Sequence, residues 1–442
     1  MNRVLVTVVL SLLPLMAGAQ VDENGELLKY KRSSLYSVLL SHSGLAFSDQ
    51  IESAFHSVPI PDKFNDHNLK TRTFESTAVK ARHDGKEKMT DNMADIDRFV
   101  TDNRIPAELV AKWFDRDPVS GGFDMALIQE RGFYDASKVD INAAEVSGRG
   151  LAVLGDAGEG LIGNTFMLVN DITYVDKGEV SKGVASGITV VAGLAGLFLG
   201  SKEIMDAGKS VADAAQEIDG FTVNITSYLY RLVWDEETMG AFYKQYWFPA
   251  GVENPERREA FDNSGEFRLE YIGRTRTSAA ILSSRSFSTL TKQEQMVKAC
   301  ARAVDKAIVE LQRQYDEFKV NVPIYKVAEN RKTVEVKIGL KEGINEKSEF
   351  EILAPVEDEK GRIRYNSVGR LKPVPGEIWD NRFGALEEAQ MLEAAKAAGE
   401  RVKGGEVDLK SASLTATTFK VLGGSNQIYP GCLIREVTIK GK

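Results

Sequence analysis

Cysteine is nearly missing from this chain, with Cys300 and Cys432 the only two in 442 residues. A disulfide-dense scaffold is excluded, because each remaining stretch must fold on its apolar core alone. No cysteine follows the apolar N-terminal run, so lipid attachment at a cleavage site is excluded as well. Histidine is scarce too, four residues confined to His42, His56, His67 and His83. Basic charge is in deficit, 56 Lys and Arg against 64 Asp and Glu, and no basic stripe stands out. Nucleic acid is therefore excluded as a partner, since tracking phosphates requires such a stripe. Nucleophile-elbow, Walker-type and SxxK signatures occur in no context that would position them.

What is present begins at residue 1. MNRVLVTVVLSLLPLMAGAQ has a basic start at Arg3, an uncharged apolar run from Val4 to Met16, and Ala17-Gly18-Ala19 before Gln20. That order reads as a secretory signal peptide over 1–19, cut before Gln20. With Arg3 removed the balance becomes 55 basic against 64 acidic residues, or −9, an ordinary mildly acidic surface.

The rest reads as a multi-domain α+β chain. Residues 20–135 are helical and loop-rich: Ser34 to Phe55 has helix-like spacing ended by Pro59 and Pro61, with further helices near 89–101 and 106–114. RDPVSGGF at 116–123 is a loop. Residues 136–320 form an α+β domain with strands over 164–175, 220–234 and 266–273 and a long helix over 291–318, apolar on one face and charged on the other. Residues 321–442 hold several short alternating strands, the mark of a small β-barrel or sandwich, interrupted by an Ala/Glu/Lys helix at 383–403 whose charge reads as a solvated face. Cys300 falls on the apolar face of 291–318 and Cys432 in a strand; in an oxidising compartment they either pair or remain two buried thiols.

The candidate chemistry is thin. Gly158, Gly160 and Gly163 have GxGxxG spacing, but the strand follows them instead of preceding, so no helix start is there to hold a pyrophosphate. They read as a helix-to-strand turn, with glycine supplying positive φ. The histidines, with Asp66 beside His67, match no ligand spacing for zinc and read as surface or capping residues, His42 and His56 on a helix. DRDPVSGGFD fails as a calcium loop, because Ser120 and Ala126 fall where glycine and a bidentate glutamate belong. No catalytic residue, metal ligand or cofactor is assigned.

Residues 183–200, GVASGITVVAGLAGLFLG, carry no charge, and Gly183, Gly187, Gly193, Gly196 and Gly200 punctuate them. The GxxxG spacings suit close helix packing in lipid. Yet its eight Val, Ile, Leu and Phe residues supply only about −2.4 to −4.8 kcal/mol of insertion energy before the glycines weigh against it. A helix or hairpin buried against the sheet, a membrane contact, and a segment that inserts on meeting a membrane all remain open.

RGLAVLGDAGEGLIGNTFMLVNDITYVDK at 149–177, GFTVNITSYLYRLVWDEE at 220–237, and SSLYSVLLSH with PIPDKFNDHN near the N-terminus resemble a family of uncharacterised exported proteins of Bacteroidetes. GLKEGINEKSEFEIL and PGCLIREV after helix 291–318 are similar to the small C-terminal β-barrel of envelope assembly factors. The resemblance implies an envelope scaffold, periplasmic or on the periplasmic face of the outer membrane, acting as a non-enzymatic binding or assembly module. Its partner would be an envelope protein or a second copy of itself. A membrane-inserting protein using 183–200 and a motif-less hydrolase are the alternatives.

Overall fold

The computed structural model describes residues 33–43, 47–61, 63–77, 92–135, 161–176, 218–284, 291–319, 321–357, 363–397, 408–424, 428–430 and 432–437. The expected signal peptide, the glycines of 183–200, Gly158, Gly160 and His83 lie outside them. The fold is mixed α/β, with two sheets.

Strand β1 (Ser33–Ser41) lies inside the first sheet. On one side it pairs in parallel with β2 (Phe64–Asp66) and β3 (Thr73–Glu75), on the other with β4 (Thr165–Asp176). Strands β5 (Ile218–Leu232) and β6 (Leu269–Ser284) complete the sheet in antiparallel pairing. This corrects the helix expected over Ser34–Phe55, of which only α1 (Ser48–Ser57) is helical. From Leu35 to Leu40 every residue is buried, because both faces of β1 are covered. A strand covered on both faces reads as a continuous apolar run, and such a run also satisfies helical spacing.

Alternation along the strands sorts side chains into two cores. Tyr36, Val38, Met167, Val169 and Tyr228 face α2 (Met93–Asp102) and α3 (Ile105–Trp113), close to the helices expected near 89–101 and 106–114. α4 (Ala126–Asp135) adds Ile128 to this core, and α5 (Glu236–Ala241), a π turn at 242–246 and α6 (Pro255–Asp262) follow β5. An aromatic cluster joins them, with Phe114 stacked on Phe242 at 4.3 Å and Phe123 edge-on to Phe261 at 5.1 Å. The 116–123 loop is present as expected. Gly122 is required there, since a Cβ would lie 2.4 Å from the Pro249 carbonyl oxygen.

The opposite face carries Leu35, Leu39, Phe166, Leu168, Ile225 and Leu229 against α1 and α7 (Lys292–Gln314). A capping box starts α7: Thr291 Oγ1 accepts from the Glu294 amide, and the Glu294 carboxylate accepts from the Thr291 amide. Ala299, Ala303 and Ala307 are fully buried, which lets the helix axis approach the sheet closely. In the middle of this face Asn170 donates to Ser37 Oγ at 3.1 Å and accepts from Ser227 Oγ at 2.7 Å, so β1, β4 and β5 are stitched by a satisfied polar row.

The second sheet is antiparallel and curls into a half-barrel, in the order β7 (Val322–Pro323), β13 (Leu433–Glu436), β10 (Phe350–Glu357), β11 (Ile363–Pro373), β12 (Thr417–Val421), β9 (Thr333–Val336), β8 (Lys326–Val327). Its core is Ile324, Val336, Phe350, Ile352, Leu371, Phe419 and Ile434. α8 (Ala385–Ala397), within the expected 383–403, packs Ala385, Ala389 and Leu392 against Ala412 of α9 (Leu409–Ala412). Both cysteines are free, Cys300 in the core under α7 and Cys432 in the half-barrel core. The disulfide alternative is thus overturned: each thiol fills space among apolar side chains of a different core. Burial pushes the Cys300 thiol up to about 12, which keeps it unreactive.

Candidate functional site

The histidines are not surface residues as a group. His42, expected on a helix, follows β1, and its Nε2 lies 2.7 Å from Asp171 Oδ1, both groups buried. Asn92 Nδ2 donates to the other Asp171 oxygen at 2.9 Å, so the residue at the start of α2 caps a carboxylate instead of its own helix. This cluster sits at the carboxyl edge of β1, where the connection through α1 goes to one side and the one through α2–α4 to the other, the usual ligand crevice of open α/β sheets. Among the described residues no hydroxyl or thiol hydrogen-bonds His42, so the cluster holds no assembled nucleophile and base.

His67 is fully buried between Trp113 and Arg131. Arg131 donates to Nδ1 at 3.0 Å, which leaves Nε2 carrying the proton donated to the Leu109 carbonyl at 3.0 Å. Burial, and then the Arg131 charge, hold its pKa well below the ordinary imidazole value, so it stays neutral. Among the described histidines only His56 is exposed, beside Thr73 and Glu52. Gly163 does lie in a turn leading into β4, but without the expected positive φ. Among the described residues no group of three or more His, Cys, Asp or Glu is arranged to hold a metal.

The informative geometry lies on α7, which bears a second stripe: Lys298, Arg302, Asp305, Val309 and Arg313 recur at steps of three and four. The stripe faces the C-terminal sheet and α8. Glu388 of α8 accepts from Lys298 Nζ at 2.6 Å and Arg302 Nη2 at 3.0 Å, with side-chain exposures of 8% for Lys298, 13% for Arg302 and 27% for Glu388. The charge of α8 is therefore not wholly a solvated face. Burial raises the Glu388 pKa, and the hydrogen bond and charge of Lys298, with Arg302 behind them, outweigh it and hold the carboxyl below its usual range. At the far end Arg313 donates to the Gly343 carbonyl at 2.8 Å and to both carboxylate oxygens of Glu436, at 3.2 and 3.4 Å. Gly343 has φ 72°, and a Cβ there would come within 2.7 Å of Val309. The turn is thus pressed against the helix.

Where α7 ends, this contact opens into a cleft of about 380 Å³. Gln312, Arg313 and Lys319 form one wall, Asn345, Lys347, Ser348 and Glu349 the second, and Arg435, Glu436 and Val437 at the end of β13 the third. Four cationic side chains meet two carboxylates, an excess of positive charge on an acidic protein. Most of these charges are paired. Arg435 donates to Glu351 at 2.8 and 2.6 Å, Lys319 lies 2.5 Å from Asp316, and Lys372 binds Glu349 at 2.6 Å. That bond to Lys372 holds the Glu349 carboxyl below its usual range.

Gln312 differs from its neighbours. Its Oε1 accepts from Lys63 Nζ at 3.1 Å, while its Nε2 is enclosed and has no acceptor among the described residues. Burial lowers the Lys63 pKa, opposed by the carboxylates of Glu342, Asp305 and Glu436. An enclosed amide donor left unpaired costs about 1–3 kcal/mol. Lys347 is exposed and makes no ion pair among the described residues. The lining of the cleft is thus charged and mostly paired within itself.

Sequence reasoning named none of these residues as a site. Lys63 and Gln312 lie 249 positions apart, and only the fold brings them together. No protein-family model matches the chain, and no curated protein matches it either.

Proposed function

We propose that the chain is an exported protein of the cell envelope acting as a non-enzymatic binding or assembly module, with the cleft at the end of α7 as its binding site. The observation that supports this most is the placement of that cleft. It lies at the joint between two sheets, walled by the end of one helix, one loop and the end of one strand, and four cationic side chains meet two carboxylates in it. Recognition sites favour such joints, because separate elements each contribute a few polar groups. Export would follow from residues 1–19.

A photo-crosslinking residue at Lys347, in the full chain in intact cells, should capture one envelope protein or a second copy of the chain. The mature protein should begin at Gln20. A protein that stays monomeric and uncrosslinked, or one that retains residues 1–19 in the cytoplasm, overturns the reading. Among the described residues no helix is long and apolar enough to cross a membrane. The rival that uses 183–200 would instead show carbonate-resistant membrane association that is lost when that segment is replaced.

A further inference from the structure

We infer that α8 is a flap, hinged at Gly384 and latched to α7 by Glu388, which opens while the rest of the fold stays closed; this is independent of the reading of the cleft. The chain just ahead of α8 is pinned. The Asp380 amide donates to the Ser411 carbonyl at 3.0 Å, and the buried Asp380 carboxylate accepts from Arg382 Nε and Nη2, both at 2.8 Å. Asn381 Oδ1 accepts from the Lys341 amide at 2.8 Å, and its Nδ2 donates to Glu342 at 2.7 Å. Directly before the first residue of α8, Gly384 turns the chain with φ 66°. The fixed segment therefore gives way to the helix at the residue type whose backbone rotates most freely.

Beyond the hinge little apolar contact holds the helix. Its buried residues Ala385, Ala389 and Leu392 meet Ala412 and Leu409 of α9 in a cluster that, among the described residues, joins none of the three larger cores. The larger side chains at this helix lie in water, Phe383, Leu386 and Met391 being 41%, 39% and 41% exposed. With small residues inside and large ones outside, the closed position removes less apolar surface from water than the helix carries, and burial holds it weakly. What remains is charge. Glu388 Oε2 takes both Lys298 and Arg302, and Arg302 Nη2 also donates to the Phe383 carbonyl at 3.3 Å. Both cations stand on α7, which the first core fixes independently. The joint is also imperfect, since Arg302 Nε is enclosed without an acceptor among the described residues. Opening returns Lys298, Arg302 and Glu388 to water, which offsets part of what their pairing loses. It uncovers two cations on α7 and presents Ala385, Leu386, Ala389, Met391 and Leu392 together.

The test is hydrogen exchange of the full chain, read by mass spectrometry at neutral pH in rising urea below the unfolding transition. The amides of α8 should exchange together, less protected than those in the middle of α7 and with a shallower dependence on urea, because the opening exposes little surface. Glu388→Gln keeps the shape of the side chain and removes its charge. It should speed exchange of α8 about tenfold or more and leave the middle of α7 and the strands of the first sheet unchanged. The wild-type urea series stands without the variant. Protection of α8 equal to that of α7 with the same urea dependence overturns the inference, as does an α8 with no protection at all. So does a Glu388→Gln chain whose α8 exchanges as before, whose α7 and α8 lose protection equally, or which does not fold.

Discussion

Helix α7 meets the first sheet through Met296, Ala299, Cys300, Ala303, Ile308 and Leu311, and meets the C-terminal sheet and α8 through Lys298, Arg302, Asp305 and Arg313. The first contact is held by area removed from water and is not weakened by charge screening. The second is held by ion pairs whose charges lost hydration when they were covered, so its net gain is small although each pair is expensive to break from one side. One helix thus carries two attachments of different kind: a broad apolar one that builds a core, and a narrow electrostatic one that sets where the half-barrel sits and leaves the cleft open beside it.

The largest effect should come from the apolar side. Ile308→Ala should remove about 2–5 kcal/mol from global stability, read as a shift in the urea midpoint. A loss under about 1 kcal/mol would mean that this face is not the main attachment. Next, Glu388→Ala leaves Lys298 and Arg302 covered without a counter-charge and should cost about 2 kcal/mol, less than a fully buried pair because Glu388 is partly exposed. Replacing all three together by Leu and Met should recover most of that loss. Failure to recover would show that the pairing itself stabilises the joint.

Acid separates the two attachments further. His67 has a folded pKa below its unfolded value, so the unfolded chain binds the proton more readily and stability declines as pH falls below about 6.5. Glu388 also has a depressed pKa, but its contribution is complete above the ordinary carboxylate value and is lost only as pH falls through the lower folded one. The melting temperature should therefore fall first through the His67 side of the first sheet, a decline removed by His67→Asn, and again in stronger acid at the joint. A single acid step insensitive to His67→Asn would contradict this. Smallest of all, Arg313→Ala should cost about 0.5–1 kcal/mol, because its pair with Glu436 is a third exposed, and the loss should shrink in high salt.

These differences also mark what was legible in the sequence. The α7 apolar stripe and the short C-terminal strands bury one pattern against one partner and were readable, and β4, although buried on both faces like β1, was readable from its β-branched and aromatic residues. β1 was misread because burial on both faces erases the alternation that separates strand from helix. Lys298, Arg302, Asp305 and Arg313 read only as the charged face of the helix, since lysine and arginine at helical spacing read the same whether water or Glu388 receives them. The cleft was out of reach for another reason: Gln312, Lys347 and Arg435 are far apart in sequence and meet only in the fold.

The position of β1 has a consequence for how the chain folds. It is the earliest described strand, yet one of its edges is completed only when β4 arrives, after α1 through α4 have been laid down. Pairing over so long a loop is slow, because the entropy of closure is lost before the contact is gained. Until then an apolar strand with an open edge waits for its neighbour, a state that holdase chaperones recognise and in which two copies can pair in place of one.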